Sequence, residues 1–308
     1  GLQLHKKAGA IMSDNKNRKK SSFEIYRYQV IPQNRYWTPE LFQKHDYKTI
    51  EELISKKNII FSEVLDDLPN SKQMATNRAN LTCKLLSNND QEYLFEFAVE
   101  RTLIHEKKDF KKEFLKNWPS FKVFIWNDSE HQLAIVQKRV EAFANTQTII
   151  FALSEAINLQ LKKNNLRVYF EALFEERRFW DTVSTYHDEL KEVRFELITP
   201  NMSNISGCLT DELKDLAKET NSCKMTVSLM SDNDSALKLD GGNKNINGML
   251  TYTSNGGGNI TFRAKRVRRL IKTNNSIKRI DLDDVEVGAS SAEQLIQILK
   301  GACNEKQN

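Results

Sequence analysis

Three polar breaks constrain this chain most: Ser87-Asn88-Asn89-Asp90, Asn127-Asp128-Ser129-Glu130 and Ser254-Asn255-Gly256-Gly257-Gly258. Each separates two short runs rich in apolar and β-branched residues. Leu81–Leu86 precedes Tyr93–Glu100, Phe121–Trp126 precedes Gln132–Lys138, and Met249–Thr253 precedes Ile260–Ala264. Asn, Asp and Gly tolerate the backbone conformations that tight turns require, and alternation places apolar side chains on one face of a strand. Three β-hairpins are therefore predicted, with four or five antiparallel strands in the first half of the chain. Phe23–Ile31 adds a strand that stops at Pro32, where the ladder loses a donor.

Helical spacing appears between these runs. Thr49, followed three residues later by Glu52, is a capping-box pattern and predicts a helix starting near Ile50. Val140 to Lys163 carries apolar residues at Val140, Phe143, Ile150, Leu153, Ile157 and Leu161, with a second row at Ile149, Ala152, Ala156 and Leu159. That breadth predicts a long central helix covered on more than one side. His105 to Lys116 (HEKKDFKKEFLK) reads as a charged, solvated helical connector. Further on, the order is a strand at Leu166–Phe174, a helix at Glu175–Leu190, a strand at Val193–Thr199, a helix at Asp211–Glu219 and a strand at Lys224–Met230. Ser291 then caps a last helix from Ala292.

The expected fold class is α+β: mainly antiparallel sheets in two halves joined by the long central helix. Residues 1–22 are expected to form a flexible arm. Its first eleven residues read as a cloning or protease-cleavage remnant ahead of a natural start at Met12. Residues 23–164 form the first half and 165–303 the second, which carries the basic hairpin. Nine of the eleven glycines lie at Gly207 or later and no proline follows Pro200, a shift that supports this boundary.

Composition excludes several classes. The chain is 39% hydrophobic and 28% charged, as in globular proteins rather than disordered ones. No apolar run approaches the roughly 20 residues that span a bilayer, and the start lacks a secretory segment, so a cytoplasmic location is expected. Cys83, Cys208, Cys223 and Cys303 are widely spaced without a C-x-x-C pair, which predicts free thiols. A phosphate-cradling loop ending in Gly-Lys-Ser/Thr is absent, as are an H-x-x-x-H pair and a G-x-S-x-G elbow. His187-Asp188 suggests acid/base chemistry, but adjacent helical residues point apart. Glu175, Glu176 and Asp181 fit the wet face and the first turn of a helix, where carboxylates at the N-terminus are favourable.

The positive charge is better organised. Net charge is +5, from 46 basic and 41 acidic residues, so its distribution matters more than its total. No acidic residue lies between Asn259 and Arg279. Arg263, Lys265, Arg266, Arg268, Arg269, Lys272, Lys278 and Arg279 are the candidate nucleic-acid-binding residues, through charge-assisted bonds to phosphates. As a strand, the segment points Ile260, Phe262 and Ala264 inward and Thr261, Arg263 and Lys265 outward. An alternative reading of Lys265–Lys272 is a helix with Lys265, Arg268, Arg269 and Lys272 on one face. A solvated basic face, balanced by the acids that follow, is the plain structural reading.

The leading functional expectation is a cytoplasmic protein that binds nucleic acid, DNA in preference to a small molecule, through the phosphate backbone and without sequence reading, cofactor or metal. An accessory or sensor place in a bacterial genome-protection or antiviral system fits as context. The enzyme alternative is a divalent-metal nuclease using Asp281, Asp283 and Asp284. The third is a self-assembly or protein-interaction module in which the basic hairpin pairs with a neighbour's sheet edge, giving a homo-oligomer or a complex with a partner protein.

Overall fold

The computed structural model describes residues 19–36, 38–71, 80–199 and 203–307. The arm expected at residues 1–22 lies outside them as far as residue 18, and Lys20–Ser22 already belong to the first strand. The strands are β1 (Lys20–Pro32), β2 (Leu81–Asn89), β3 (Glu92–Val99), β4 (Arg101–Glu106), β5 (Lys112–Asn117), β6 (Ser120–Trp126), β7 (Leu133–Gln137), β8 (Leu166–Ala172), β9 (Leu190–Ile198), β10 (Lys224–Met230), β11 (Gly258–Ala264), β12 (Ile271–Lys272) and β13 (Arg279–Asp283). The helices are α1 (Pro39–Phe42), α2 (Ile50–Asp67), α3 (Thr146–Leu161), α4 (Glu176–Thr185), α5 (Ser203–Ser206), α6 (Asp211–Glu219), α7 (Lys244–Tyr252), α8 (Asp284–Ala289) and α9 (Ala292–Gln307).

Antiparallel sheets and helices together make the α+β class expected. Among the described residues the larger sheet has seven strands in the order β13-β1-β7-β6-β3-β2, with β8 also on β1. β1 is long enough to take two neighbours in succession along one edge. Lys20–Glu24 pair with β13, and Tyr26–Pro32 pair with β8. Alternation along β1 then serves two cores. Tyr26, Tyr28 and Val30 pack with α2 and α3, whereas Phe23 and Ile25 pack with Leu295, Ile296 and Leu299 of α9. Each such side chain, removed from water, contributes about 1.5–3 kcal/mol. β8 and β13 both follow residue 164 in sequence yet hydrogen-bond to β1.

The smaller sheet has the order β10-β9-β11-β12, entirely antiparallel. Its inner face, with Val193, Phe195, Ile260 and Phe262, packs on Phe179 of α4 and on Ile246, Met249 and Leu250 of α7. Its outer face carries Glu192, Arg194, Glu196, Ser228 and Arg263, with Met230 exposed beside them.

Three sequence expectations give way here. Met249–Thr253 is not a strand: Asn243 caps α7 by accepting from Asn245 N and Ile246 N, and Ile246, Met249 and Leu250 bury at helical spacing. The glycine run is consequently a helix-to-strand joint, with Gly256 at φ +86°. His105–Lys116 is not a helix but the β4–β5 ribbon, which turns at Phe110 with φ +63°. A helix there would stack like charges at i,i+4: Lys107 with Lys111, Lys108 with Lys112, and Lys112 with Lys116. In the ribbon Lys112 instead meets Glu106 at 3.3 Å and Lys107 meets Glu113 at 2.9 Å. Finally, α3 starts at Thr146 because Asn145 accepts from Thr148 N at 3.0 Å. It lies with α2 on one face of the larger sheet rather than between the two sheets.

The two sheets are joined by specific bonds. Tyr252 Oη donates to Ile198 O at 2.9 Å and receives a bond from Gln29 Nε2 at 3.1 Å, while Phe174 N–H donates to Ser254 O at 3.1 Å. The four cysteines are free thiols. No helix among the described residues is long and apolar enough to cross a membrane.

Candidate nucleic-acid interface

A hairpin carries the basic run, one strand later than the sequence suggests. β11 pairs with β12 through Thr261↔Lys272 and Phe262↔Ile271, and Lys265–Leu270 forms the loop between them. Ile260, Phe262 and Ala264 are buried, as their alternation requires, and Arg263 and Lys265 are exposed. Thr261 faces outward but is buried between the flanking Arg194 and Lys272. The helical alternative for Lys265–Lys272 is excluded by this pairing.

Backbone bonds hold the loop. Lys265 N–H donates to Glu189 O at 2.8 Å and Val267 N–H to Ala264 O at 3.3 Å. Arg266 sits at φ +68°, a left-handed conformation that costs a non-glycine residue about 1–2 kcal/mol.

The eight candidate cations divide into three groups. Lys265, Arg268, Arg269 and Lys272 are exposed and make no ion pair among the described residues. Arg263 and Arg266 flank them with carboxylate neighbours: Arg263 Nε lies 3.6 Å from Glu192, and Arg266 Nη1 lies 4.0 Å from Glu189. Lys278 and Arg279 belong to the larger sheet. Lys278 Nζ donates to Lys306 O at 3.3 Å with its side chain only 15% exposed, and Arg279 pairs with Asp281 at 3.3 Å.

Arg194 is a residue the sequence reading missed. Cross-strand register puts Ser228, Arg194, Thr261 and Lys272 in one row on the outer face of the smaller sheet. Its only signal is an outward position in VRFELIT, visible once the strand's facing is known. Beside it, Glu192 accepts from Ser228 Oγ and Arg194 Nη2, each at 2.8 Å, and with Arg263 these hold its carboxyl below the usual carboxylate range.

The acidic candidates do not converge. Asp281 faces Arg279, Asp283 Oδ1 caps α8 through Val285 N at 2.9 Å, and Asp284 Oδ1 accepts from Ser21 Oγ at 2.6 Å. No group of three His, Cys, Asp or Glu among the described residues could hold a metal ion. His187 and Asp188 do meet, at 2.7 Å, because α4 ends at Thr185 and the pair lies in the turn beyond it. Both side chains are exposed. The sequence also did not signal His131, whose Nδ1 lies 2.7 Å from Asp128 and whose ring stacks on Trp126 at 3.5 Å. Asp128 accepts as well from the backbone N–H groups of Glu130 and His131, so this pair closes the β6–β7 turn.

A cavity of about 250 Å³ lies between α3 and β8, lined among others by Phe151, Tyr169, Phe170, Glu171 and Asn274. Burial pushes the Glu171 carboxyl up to about 7, with Glu196 raising it and Lys224 opposing. Comparison with protein-family models, curated proteins and solved structures finds no match to this chain.

Proposed function

We propose that this chain binds a nucleic-acid backbone, duplex DNA in preference to a small molecule, through the tip of the β11–β12 hairpin. The observation that carries the reading is the concentration of Lys265, Arg266, Arg268 and Arg269 in one exposed, backbone-anchored loop. Lys272 stands at its foot, and four of these five cations are free of carboxylates among the described residues. Exposed guanidinium and ammonium groups of this kind engage phosphates by charge-assisted bonds and by counterion release. Arg266 supports the reading, since a residue held at positive φ marks a place where conformation has been kept at some cost to stability. Lys265–Lys272 contains no aromatic residue on which an unpaired base could stack, which favours a duplex and argues against sequence reading. A cytoplasmic accessory or sensor role fits binding of this type.

Fluorescence anisotropy with a labelled 30-base-pair duplex, across a salt series, tests the proposal. Neutralisation of about four phosphates gives a slope of about −3.6 in log K against log salt. Reversal of Arg266, Arg268 and Arg269 to Glu should flatten that slope by about three. Equal binding by this variant and the wild type would end the proposal.

A further inference from the structure

We infer that the β4–β5 ribbon is a self-association arm that packs, face to face, on the same ribbon of a second copy of this chain. Residues 101–118 hold six of the sixteen large apolar side chains that are exposed among the described residues: Leu103, Ile104, Phe110, Phe114, Leu115 and Trp118. A cluster of that kind marks an interaction surface rather than ordinary scatter. The ribbon pairs with no other strand among the described residues, and a lone two-stranded hairpin is marginal in water. Its stability therefore gains directly from being covered.

The pattern on one face says what covers it. Cross-strand register stacks three levels there: Thr102 with Lys116, Ile104 with Phe114, and Glu106 with Lys112. Ile104 and Phe114 are 54% and 66% exposed. A two-fold axis running along the strands sets β4 of one copy over β5 of the other without changing level. Ile104 then meets Phe114, and Glu106 meets Lys112, twice over. Isologous contacts require such self-complementarity, in which each residue is answered by its cross-strand partner. The same operation brings the two roots together, where Trp118 is 40% and Val140 68% exposed, and Arg101 ties the ribbon to the Val140 loop through Ala142 O. Six residues of strand are about 20 Å long. One ribbon face alone therefore falls below the roughly 800 Å² per partner of a standard interface, and the association is expected to be weak and concentration-dependent.

Sedimentation velocity from about 1 to 500 μM tests the inference. The wild type should pass from monomer to dimer in this range, and Phe114→Glu should remain monomeric. Glu106→Lys and Lys112→Glu, each alone, put like charges together across the axis and should weaken the dimer at least tenfold. An equimolar mixture of these two variants should recover it as a heterodimer, an outcome that a purely intrachain role for the pair does not produce. Circular dichroism spectra and melting temperatures close to wild type would show the variants folded. A monomeric wild type at 500 μM, Phe114→Glu dimerising normally, or a mixture no tighter than its components would overturn the assignment.

Discussion

Arg27 Nε donates to the carbonyl oxygen of Asn255 at 2.6 Å, linking the first strand of the larger sheet to the glycine-rich joint that leads into β11. Arg27 Nη1 also donates to His131 O, and burial pushes the guanidinium down to about 10, so it remains charged at neutral pH. No carboxylate pairs with it among the described residues. Arg27→Met should leave both carbonyls without this donor and cost about 2–4 kcal/mol. Arg27→Lys should recover only part, because an ammonium lacks the planar fork. Urea denaturation midpoints measure both effects. A Met variant as stable as the wild type would mean that desolvation of the guanidinium cancels its bonds.

The joint also sets a steric test. A methyl group at Gly258 would overlap Glu196 O, and one at Gly256, already at positive φ, would strike Arg27 Cβ. Gly258→Ala should lose about 3 kcal/mol or more by forcing β11 from β9. At Gly301 in α9 an added methyl group would meet nothing within 4 Å, and Gly301→Ala should gain up to about 1 kcal/mol from helix propensity. Thermal melts of the two variants should move in opposite directions.

Glu171 makes stability depend on pH. Its carboxyl is raised from an ordinary 4.5 to about 7, so the folded state holds a proton that the unfolded chain has released. Its contribution is complete below pH 4.5 and is lost as pH rises through 7. The full shift corresponds to about 3 kcal/mol. The residue is only half-buried, so water offsets part of this and a loss of about 1–2 kcal/mol is expected. Glu171→Gln should match the wild type in urea at pH 4.5 and exceed it at pH 8; an advantage independent of pH would contradict the assignment.

Asn158 closes part of the outer edge of β8. Its Oδ1 accepts from Val168 N–H at 2.8 Å and its Nδ2 donates to Val168 O at 3.2 Å. Asn158→Ala should cost about 1 kcal/mol, since water can replace part of these bonds at an edge. An open edge also recruits other strands. Light scattering on heating should therefore rise earlier in the variant, and identical onset temperatures would speak against an edge role.

Where local chemistry decided the structure, the sequence showed it. Thr49 Oγ accepts from Glu52 N at 3.1 Å, Ser291 Oγ accepts from Gln294 N at 3.2 Å, and α6 and β10 occupy the segments their periodicity indicates. Short apolar runs were less legible. Met249–Thr253 alternates like a strand, and only the Asn243 cap and the burial of Ile246 settle it as a helix. The ribbon from Arg101 to Asn117 is hard to read for another reason. With no core to face among the described residues it has no burial period, and its ion pairs form across strands that the chain order does not reveal. The basic candidates were visible as a run, but their division between two sheets depends on β13 returning to β1. Arg194 became visible only through register.

That return has a consequence during synthesis. Phe23 is paired with Ile280, 257 positions later, and is covered by α9, which comes later still. At about 5–20 residues per second, a ribosome needs on the order of 13–50 s to supply the partner. Until β13 and α9 emerge, the Lys20–Glu24 end of β1 has no strand along that edge and Phe23 and Ile25 lack their cover, so exposure to misassembly at that end persists after β8 has closed the rest.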